Sequence, residues 1–215
     1  MFPIKDDNPT KKKAWVTYSI ILINIAVFAY EIALTSQGAL QGFIYSYAII
    51  PMHVVAGIHL HTLFTSMFLH GGFMHIFGNM LYLYIFGNNI EDIMGKRRFL
   101  IFYILCGLVA SFLQILVNPA SKIPNLGASG AIAGVLGAYL VIFPHARIHT
   151  ILFFGYFVRW VRLPAILVLG FWFVIQLFSG LGSLAYATSD AGGVAFFAHV
   201  GGFLAGMLLV WVFKR

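Results

Sequence analysis

The stretch GASGAIAGVLGAYLVIF, residues 127–143, places a serine at the start of an apolar segment. A second apolar segment opens with Ala198-His199-Val200-Gly201-Gly202 and places a histidine in a similar position. Polar side chains are costly in lipid, and by default they face a bundle interior or a water-filled cavity. The two segments therefore indicate a membrane protein and make Ser129 and His199 candidate functional residues.

The composition of the whole chain agrees with a membrane setting. Of the 215 residues, 61% are hydrophobic and 9% are charged, which leaves too little polar surface for a soluble domain of this size. The net charge of +7 does not indicate a nucleic-acid partner, because the basic residues form short clusters between apolar runs rather than one basic face. The single cysteine, Cys106, cannot form an internal disulfide.

Six segments are long and apolar enough to cross a bilayer, which takes roughly 20 residues per helix. They cover residues 15–34, 71–89, 98–117, 127–143, 164–182 and 193–213. The sequence therefore predicts an all-α membrane protein, with residues 15–215 as one six-transmembrane-helix bundle after a cytoplasmic N-terminal segment, residues 1–14. Glycines and a proline interrupt the apolar stretch 35–70, which we interpret as a loop in the membrane interface with short helical pieces. We expect a second irregular stretch at residues 147–163.

The basic residues set the predicted orientation, because Lys and Arg are retained in cytoplasmic loops. With the N-terminus inside, the cytoplasmic set is Lys5, Lys11, Lys12, Lys13, Lys96, Arg97, Arg98, Arg147, Arg159, Arg162, Lys214 and Arg215, and Lys122 alone lies outside. Both termini are then cytoplasmic, and the second, fourth and sixth helices run from outside to inside. Their polar residues share the outer half of the bilayer: His70, His75 and Asn79, then Ser129, then His199.

A serine and a histidine in these positions can form a nucleophile and its base. Burial in lipid disfavours a charged imidazolium, so His199 should be neutral and able to accept the Ser129 proton. Ser129 lies at a helix start, where unpaired N–H groups and the helix dipole can stabilise developing negative charge. His75 and Asn79 are four residues apart and share a helix face, so both can donate hydrogen bonds to one oxyanion.

These residues also have a structural interpretation. Serine and glycine are common where helices meet in lipid, because small residues allow close backbone approach. Gly130 and Gly134 have the small-xxx-small spacing, and so do Gly202 and Gly206. We therefore predict that these glycines are packing contacts between the fourth and sixth helices.

No carboxylate is in an evident position to complete a catalytic triad. Of the acidic residues, Glu31 and Asp190 are predicted on the outer side, and we interpret them as a helix-end charge and a loop residue. The sequence therefore predicts a Ser–His dyad whose imidazole is oriented by packing rather than by a carboxylate.

In this order the motifs resemble the rhomboid intramembrane serine proteases. The resemblance covers nearly the whole chain and rests on HGGFMHIFGN (residues 70–79), Glu91-Asp92 with Gly95-Lys96-Arg97-Arg98, Gly127-Ala128-Ser129-Gly130, Pro164-Ala165 with Trp172 and Gln176, and Ala198-His199-Val200-Gly201-Gly202. It implies Ser129 as nucleophile and His199 as base. It further implies that the oxyanion hole is formed by His75, Asn79 and the backbone N–H of Ser129, with His70, Gly127 and Gly130 as supporting residues. The family fold is a six-helix bundle around a water-filled cavity, with the first loop lying sideways in the membrane and the fifth helix and its cap loop as the gate.

The chain departs from the family pattern at two places. Many members carry a Trp–Arg pair in the first loop, where this chain reads IHLHTLFTS, residues 58–66. Many also have an aromatic residue four positions after the serine, which stacks on the catalytic histidine, and here that position is Ala133. Phe171 or Trp172 are the candidates to replace it.

The resemblance implies a serine endopeptidase that cleaves transmembrane segments of other membrane proteins near their outer end through an acyl-enzyme, with no metal or cofactor. The alternative is a catalytically silent rhomboid-like protein that binds or escorts transmembrane clients. A second alternative is a bis-histidine haem protein with ligands among His70, His75 and His199, which would show a Soret band. A transporter fits less well, because no charge lies deep in a span and no inverted repeat is evident. We expect a multi-pass protein in the bilayer of a prokaryotic plasma membrane (the cell inner membrane).

Overall fold

The computed structural model describes residues 1–155, 157–185 and 194–215, and it is mostly helical. In chain order the elements are β1 (Phe2–Asp6), α1 (Trp15–Ser36), α2 (Leu40–Tyr47), α3 (Pro51–Val55), α4 (Thr62–Thr65), a 3₁₀ turn (Ser66–Phe68), α5 (Phe73–Met94), α6 (Lys96–Val117), α7 (Ser129–Ile142), β2 (Arg147–Phe154), β3 (Phe157–Pro164), α8 (Ala165–Ala185) and α9 (Phe196–Phe213). The long helices α1 and α5 to α9 lie where the sequence predicts apolar helices. The interrupted loop between α1 and α5 contains short helical pieces, as predicted.

Several of these helices are suited to a bilayer. In the described part of the chain, four are long and apolar enough to span one: α1, α6, α8 over Ala165–Leu184, and α9. Helix α5 has the same length as α1 but carries more polar side chains, and α7 has only 14 residues. At 1.5 Å per residue α7 is about 21 Å long, shorter than the roughly 30 Å of a bilayer core. The chain is therefore a helical, multi-pass membrane protein.

Helix α7 lies at the centre of the bundle, and every residue from Gly130 to Tyr139 is buried. Its close partner is α9, because glycines on both helices remove the side chains that would hold the backbones apart. A Cβ at Gly202 would overlap the carbonyl oxygen of Gly130, and a Cβ at Gly206 would overlap that of Gly134. The prediction that these glycines form the contact between the fourth and sixth helices of the sequence analysis is confirmed.

The all-α prediction is wrong in two segments, because a three-stranded antiparallel sheet in the order β1-β2-β3 is present. Residues 147–163, predicted to be irregular, form most of the hairpin of β2 and β3, in which Arg147 pairs with Pro164 and Ile151 with Trp160. The N-terminal segment supplies β1, with Phe2 opposite Ile151. Strands of five to eight residues are too short to be detected when the sequence is searched for apolar runs as long as a membrane span. The pairing of β1 with β2 also joins distant parts of the chain, which local sequence does not indicate.

Two aspartates fasten β1 to the bundle and the hairpin. The Asp6 carboxylate accepts hydrogen bonds from the Tyr139 hydroxyl (2.7 Å) and the Asn89 amide (2.8 Å), so it ties β1 to both α7 and α5. Burial raises the pKa of Asp6 above its ordinary value. Asp7 lies 2.6 Å from Nε2 of His149, and this hydrogen bond lowers the pKa of Asp7. The N-terminal strand is thus attached to the helix ends that lie away from Ser129.

The start of α1 is held by a carboxylate from the end of α5. Glu91 is 3% exposed and accepts hydrogen bonds from the backbone N–H groups of Val16 (3.0 Å) and Thr17 (2.8 Å) and from the Thr17 hydroxyl (2.8 Å). The first N–H groups of a helix have no partner within the helix. Glu91 satisfies two of them and fixes α1 against α5.

Candidate active site

The contact between α7 and α9 brings Ser129 and His199 together. Ser129 is the first residue of α7, and His199 lies in the first turn of α9. The distance from Ser129 Oγ to His199 Nε2 is 2.8 Å. With the proton on Oγ, the serine donates to the ring nitrogen, which is the arrangement that transfer of the serine proton requires.

Two residues of α8 hold the other side of the imidazole. Nδ1 of His199 lies 2.7 Å from Oε1 of Gln176. The Trp172 ring lies 5.7 Å from the imidazole, centroid to centroid, at an interplanar angle of 35°. Trp172 thus makes the aromatic contact that Ala133 cannot make, whereas Phe171 is half exposed. The expectation that packing orients the imidazole is incomplete, since a hydrogen bond to Gln176 also contributes.

The sequence does not predict the role of Gln176 in the site. Gln176 entered only as part of the motif around Trp172. The usable signal was spacing: Gln176 follows Trp172 by four residues, so the two share a helix face. A polar residue on the same face as an aromatic candidate for histidine stacking is itself a candidate partner of that histidine.

The residues predicted for the oxyanion hole lie beside Ser129 with free donors. The backbone N–H of Gly71 donates to Nδ1 of His75 over 3.3 Å, so a neutral His75 carries its proton on Nε2. Gly127 has φ +122°, and a Cβ there would lie 2.7 Å from that Nε2, so glycine is required both for the backbone and for the space. The buried Asn79 Nδ2 has no acceptor among the described residues. Two side-chain donors are therefore available.

His70 packs against His75 and is not one of the donors beside Ser129. It is 2% exposed, and its ring packs edge-on against His75 with 5.1 Å between centroids. Its backbone N–H donates to both carboxylate oxygens of Glu31, each at 3.2 Å. Glu31 is thus a buried acceptor, not the helix-end charge we expected, and Asp190 lies outside the described residues.

The site faces a cavity of about 890 Å³. The lining includes the side chains singled out above: His75, Asn79, Ser129, Ala133, Trp172 and His199. Residues from α5, α7, α8 and α9 all contribute, so the cavity lies inside the helical bundle. It is large enough for an extended stretch of peptide, because ligand pockets in proteins commonly measure about 300–1,000 Å³.

A second, smaller cavity of about 40 Å³ also borders Ser129 and is lined in part by Ser66, Ser111 and Gln114. A water molecule requires roughly 10–15 Å³ of such space and two to four polar partners. The small cavity offers both next to the serine. Gln114 also accepts a hydrogen bond from the backbone N–H of Ala198, over 3.2 Å, and so supports the residue that precedes His199.

Comparison with known proteins identifies the family. Residues 58–215 match the family model described as the Rhomboid domain. The chain is 30% identical to RHOMBOID-like protein 1 of Arabidopsis thaliana, over 93% of this chain and 53% of that protein. It is 28% identical to Rhomboid protein 1, mitochondrial, of Saccharomyces cerevisiae, over 93% of this chain and 54% of that protein. A third relative, Rhomboid protease GluP of Bacillus subtilis, is 36% identical over 37% of this chain and 15% of its own length.

The chain spans about half the length of the first two of these relatives. The family model nevertheless covers most of the chain, from within the first loop through α9, and this region includes the Ser129–His199 pair. The chain therefore belongs to the rhomboid family.

Proposed function

We propose that this protein is an intramembrane serine endopeptidase with a Ser129–His199 dyad. The observation that carries the proposal is the 2.8 Å hydrogen bond between Ser129 Oγ and His199 Nε2. Both groups face a cavity inside a bundle of apolar helices. A purely structural serine and histidine would not need a pair of spare donors beside them, whereas His75 and Asn79 provide such a pair.

In the proposed reaction Ser129 Oγ attacks a peptide carbonyl carbon while His199 Nε2 takes the serine proton. The carbonyl oxygen becomes an oxyanion that accepts hydrogen bonds from His75, Asn79 and the backbone N–H of Ser129. The C–N bond then breaks, and His199 returns the proton to the leaving amine. A water molecule then attacks the acyl carbonyl carbon while His199 takes one of its protons. The ester C–O bond to Ser129 breaks, the new C-terminal carboxyl group leaves, and His199 returns the proton to Ser129 Oγ. The small cavity beside Ser129 is a suitable source of that water.

We also propose that α1 and α5 to α9 form six membrane spans with both termini cytoplasmic, and that residues 15–215 form the membrane domain. The distribution of basic residues supports this orientation. The short length of α7 is compatible with a span, because α7 is enclosed by other helices and its length need not match the bilayer. The residues of the site then lie toward the outer side.

The substrates would be transmembrane segments of other membrane proteins. A helix in lipid satisfies its own backbone hydrogen bonds, so its peptide bonds become accessible only where it can unwind, near its outer end. The protease name of a relative supports this activity. The relatives' names include a mitochondrial protein and a Bacillus protein, so they do not favour the expected prokaryotic plasma membrane, and the proposal is limited to a multi-pass protein.

The test is cleavage of a transmembrane reporter by the purified protein in liposomes. Ser129→Ala and His199→Ala should each lower the cleavage rate at least about 1,000-fold, as removal of a nucleophile or its base does in serine proteases. Ser183→Ala is the matched control, since its hydroxyl binds the Gly180 carbonyl on α8, away from the dyad. Unchanged cleavage in either dyad variant would contradict the proposal.

A parent protein that cleaves no reporter, but retains intact reporters on purification, would favour the client-binding alternative. An absorption spectrum of the same preparation tests the haem alternative, because bound haem gives a Soret band.

A further inference from the structure

We propose that Gln176 is the positioning residue of the dyad: its side-chain oxygen accepts the Nδ1 proton of His199 and so selects the imidazole tautomer that can receive the serine proton. This inference rests on the proposed function of Ser129 and His199. It adds a neutral third member to a site for which the sequence predicted two.

The hydrogen-bond directions leave one consistent assignment. The Gln176 side-chain oxygen is 2.7 Å from Nδ1 of His199, and an amide oxygen can only accept, so Nδ1 must carry a proton. A neutral imidazole has one ring proton, so Nε2 has a free lone pair. Nε2 is the nitrogen that lies 2.8 Å from Ser129 Oγ. The chain of donors therefore runs from Ser129 through His199 to Gln176.

Burial makes the hydrogen bond between Gln176 and His199 important for the choice of imidazole tautomer. Gln176 is 8% exposed and His199 is 9% exposed, so little water is available to replace a lost partner. In such surroundings hydrogen bonds are stronger and unpaired donors are costly. Without an acceptor at Nδ1 the ring can move its proton to Nε2, and Ser129 then faces a donor instead of an acceptor.

The choice of an amide has a physical reason. A carboxylate next to His199 would stabilise the imidazolium more strongly, but an ion buried in the bundle carries a large desolvation penalty. The amide oxygen provides the acceptor without the charge. It also provides a dipole that stabilises the imidazolium formed when Ser129 loses its proton.

The effect of a charge introduced at position 176 can be interpreted, because the groups around the His199 imidazole are identified. Helix α5 contributes His75, a titratable side chain that lines the same cavity as His199. Helix α6 contributes the neutral Gln114, α7 contributes Ser129, and α8 contributes Trp172 and Gln176. Among the described residues no carboxylate is hydrogen-bonded to the imidazole, so Gln176→Glu would introduce one.

The experiment compares Gln176→Met, which keeps the side-chain length but removes the acceptor, with Gln176→Glu, which keeps an acceptor. Gln176→Met should lower kcat about 10- to 100-fold with little change in KM, as the loss of a buried hydrogen bond to an ionising group does. Gln176→Glu should retain most of the activity, and the acid limb of its pH–rate profile should move to higher pH, because a carboxylate stabilises the imidazolium. Ser183→Ala on the same helix should match the parent.

A second readout needs no catalysis. In protein labelled with ¹⁵N-histidine, the His199 signals, identified by their loss in His199→Ala, should show the Nδ1–H tautomer in the parent. They should show a shift toward Nε2–H in Gln176→Met. Parental kcat and parental tautomer in Gln176→Met would overturn the inference, whereas cleavage that still required Ser129 and His199 would leave the proposed function intact. Conversely, a parent that cleaves nothing would not prevent the tautomer measurement from deciding the role of Gln176.

Discussion

Gly202→Ala should damage both the stability of the bundle and the geometry of the site. The added Cβ would overlap the carbonyl oxygen of Gly130 and would lie 2.9 Å from the carbonyl carbon. Carbon atoms in contact are normally about 3.5–4.0 Å apart. Both obstructing atoms belong to the backbone of the central helix α7, so no side-chain rotation can relieve the overlap. Helices α7 and α9 must separate locally by at least about 1 Å.

The magnitude follows from the position of this contact. Overpacking in cores costs about 1–3 kcal/mol when side chains can rearrange, so a backbone overlap should cost about 3 kcal/mol of unfolding free energy. Gly130 directly follows Ser129, and Gly202 is three residues after His199. A separation of about 1 Å would lengthen the hydrogen bond between these two side chains beyond the usual limit of about 3.2 Å. Such a displacement at a catalytic centre lowers rates about 100-fold.

The assay combines cleavage in liposomes with denaturant unfolding in mixed micelles. Gly206→Ala is a matched variant, since its Cβ would overlap Gly134. It should lose similar stability but less activity, because its contact lies one turn further from the dyad. Gly170→Ala on α8 is the control, since its Cβ meets nothing within 4 Å. Parental stability and parental cleavage in Gly202→Ala would refute the reasoning, and equal loss in Gly170→Ala would point to helix flexibility instead of packing.

Three further outcomes are expected from other contacts. Glu91→Ala should lower the free energy of unfolding by about 2–4 kcal/mol, because it leaves the first N–H groups of α1 unpaired; an unfolding curve equal to that of the parent would contradict this. Trp172→Ala should lower kcat about 3- to 10-fold through loss of the ring contact with His199, and Trp172→Phe should restore most of it. Burial raises the pKa of Asp6 in the folded protein, so above about pH 4 the folded protein keeps a proton that the unfolded protein has lost. Thermal stability should therefore fall as the pH rises through this range. Asp6→Asn should flatten that fall, and an unchanged slope would show that another group is responsible.

The helices and their central contact could be predicted from the sequence because both depend on local information. A membrane-spanning helix satisfies its own backbone, so a long apolar run is enough to identify it. Gly130 with Gly134, and Gly202 with Gly206, have a spacing that leaves one helix face without bulky side chains. This holds whatever the position of the helix in the bundle. Two helices with such faces in one bundle are expected to pack against each other, and the structure confirms this contact.

The surroundings of His199 were less predictable because they depend on the rotation of α8. Three aromatic residues in a row, Phe171 to Phe173, cover most directions around that helix, and the sequence does not say which ring meets the imidazole. The structure assigns the contact to Trp172. Once that contact is known, Gln176 follows from helix geometry, so one tertiary contact would have been enough to predict the second.

The sheet was missed because its evidence is divided between distant segments. The N-terminal segment, residues 1–14, is rich in charged residues and suggests a solvated tail. Yet Asp6 accepts hydrogen bonds from Asn89 and Tyr139, two polar side chains that lie in otherwise apolar helices. The polar character of each of these three residues is accounted for by its hydrogen bonds with the others. Asn89 lies ten residues after Asn79 on α5, and Tyr139 lies ten residues after Ser129 on α7. The N-terminal strand therefore joins, at their far ends, the two helices that carry the nucleophile and part of the oxyanion hole in the proposed mechanism.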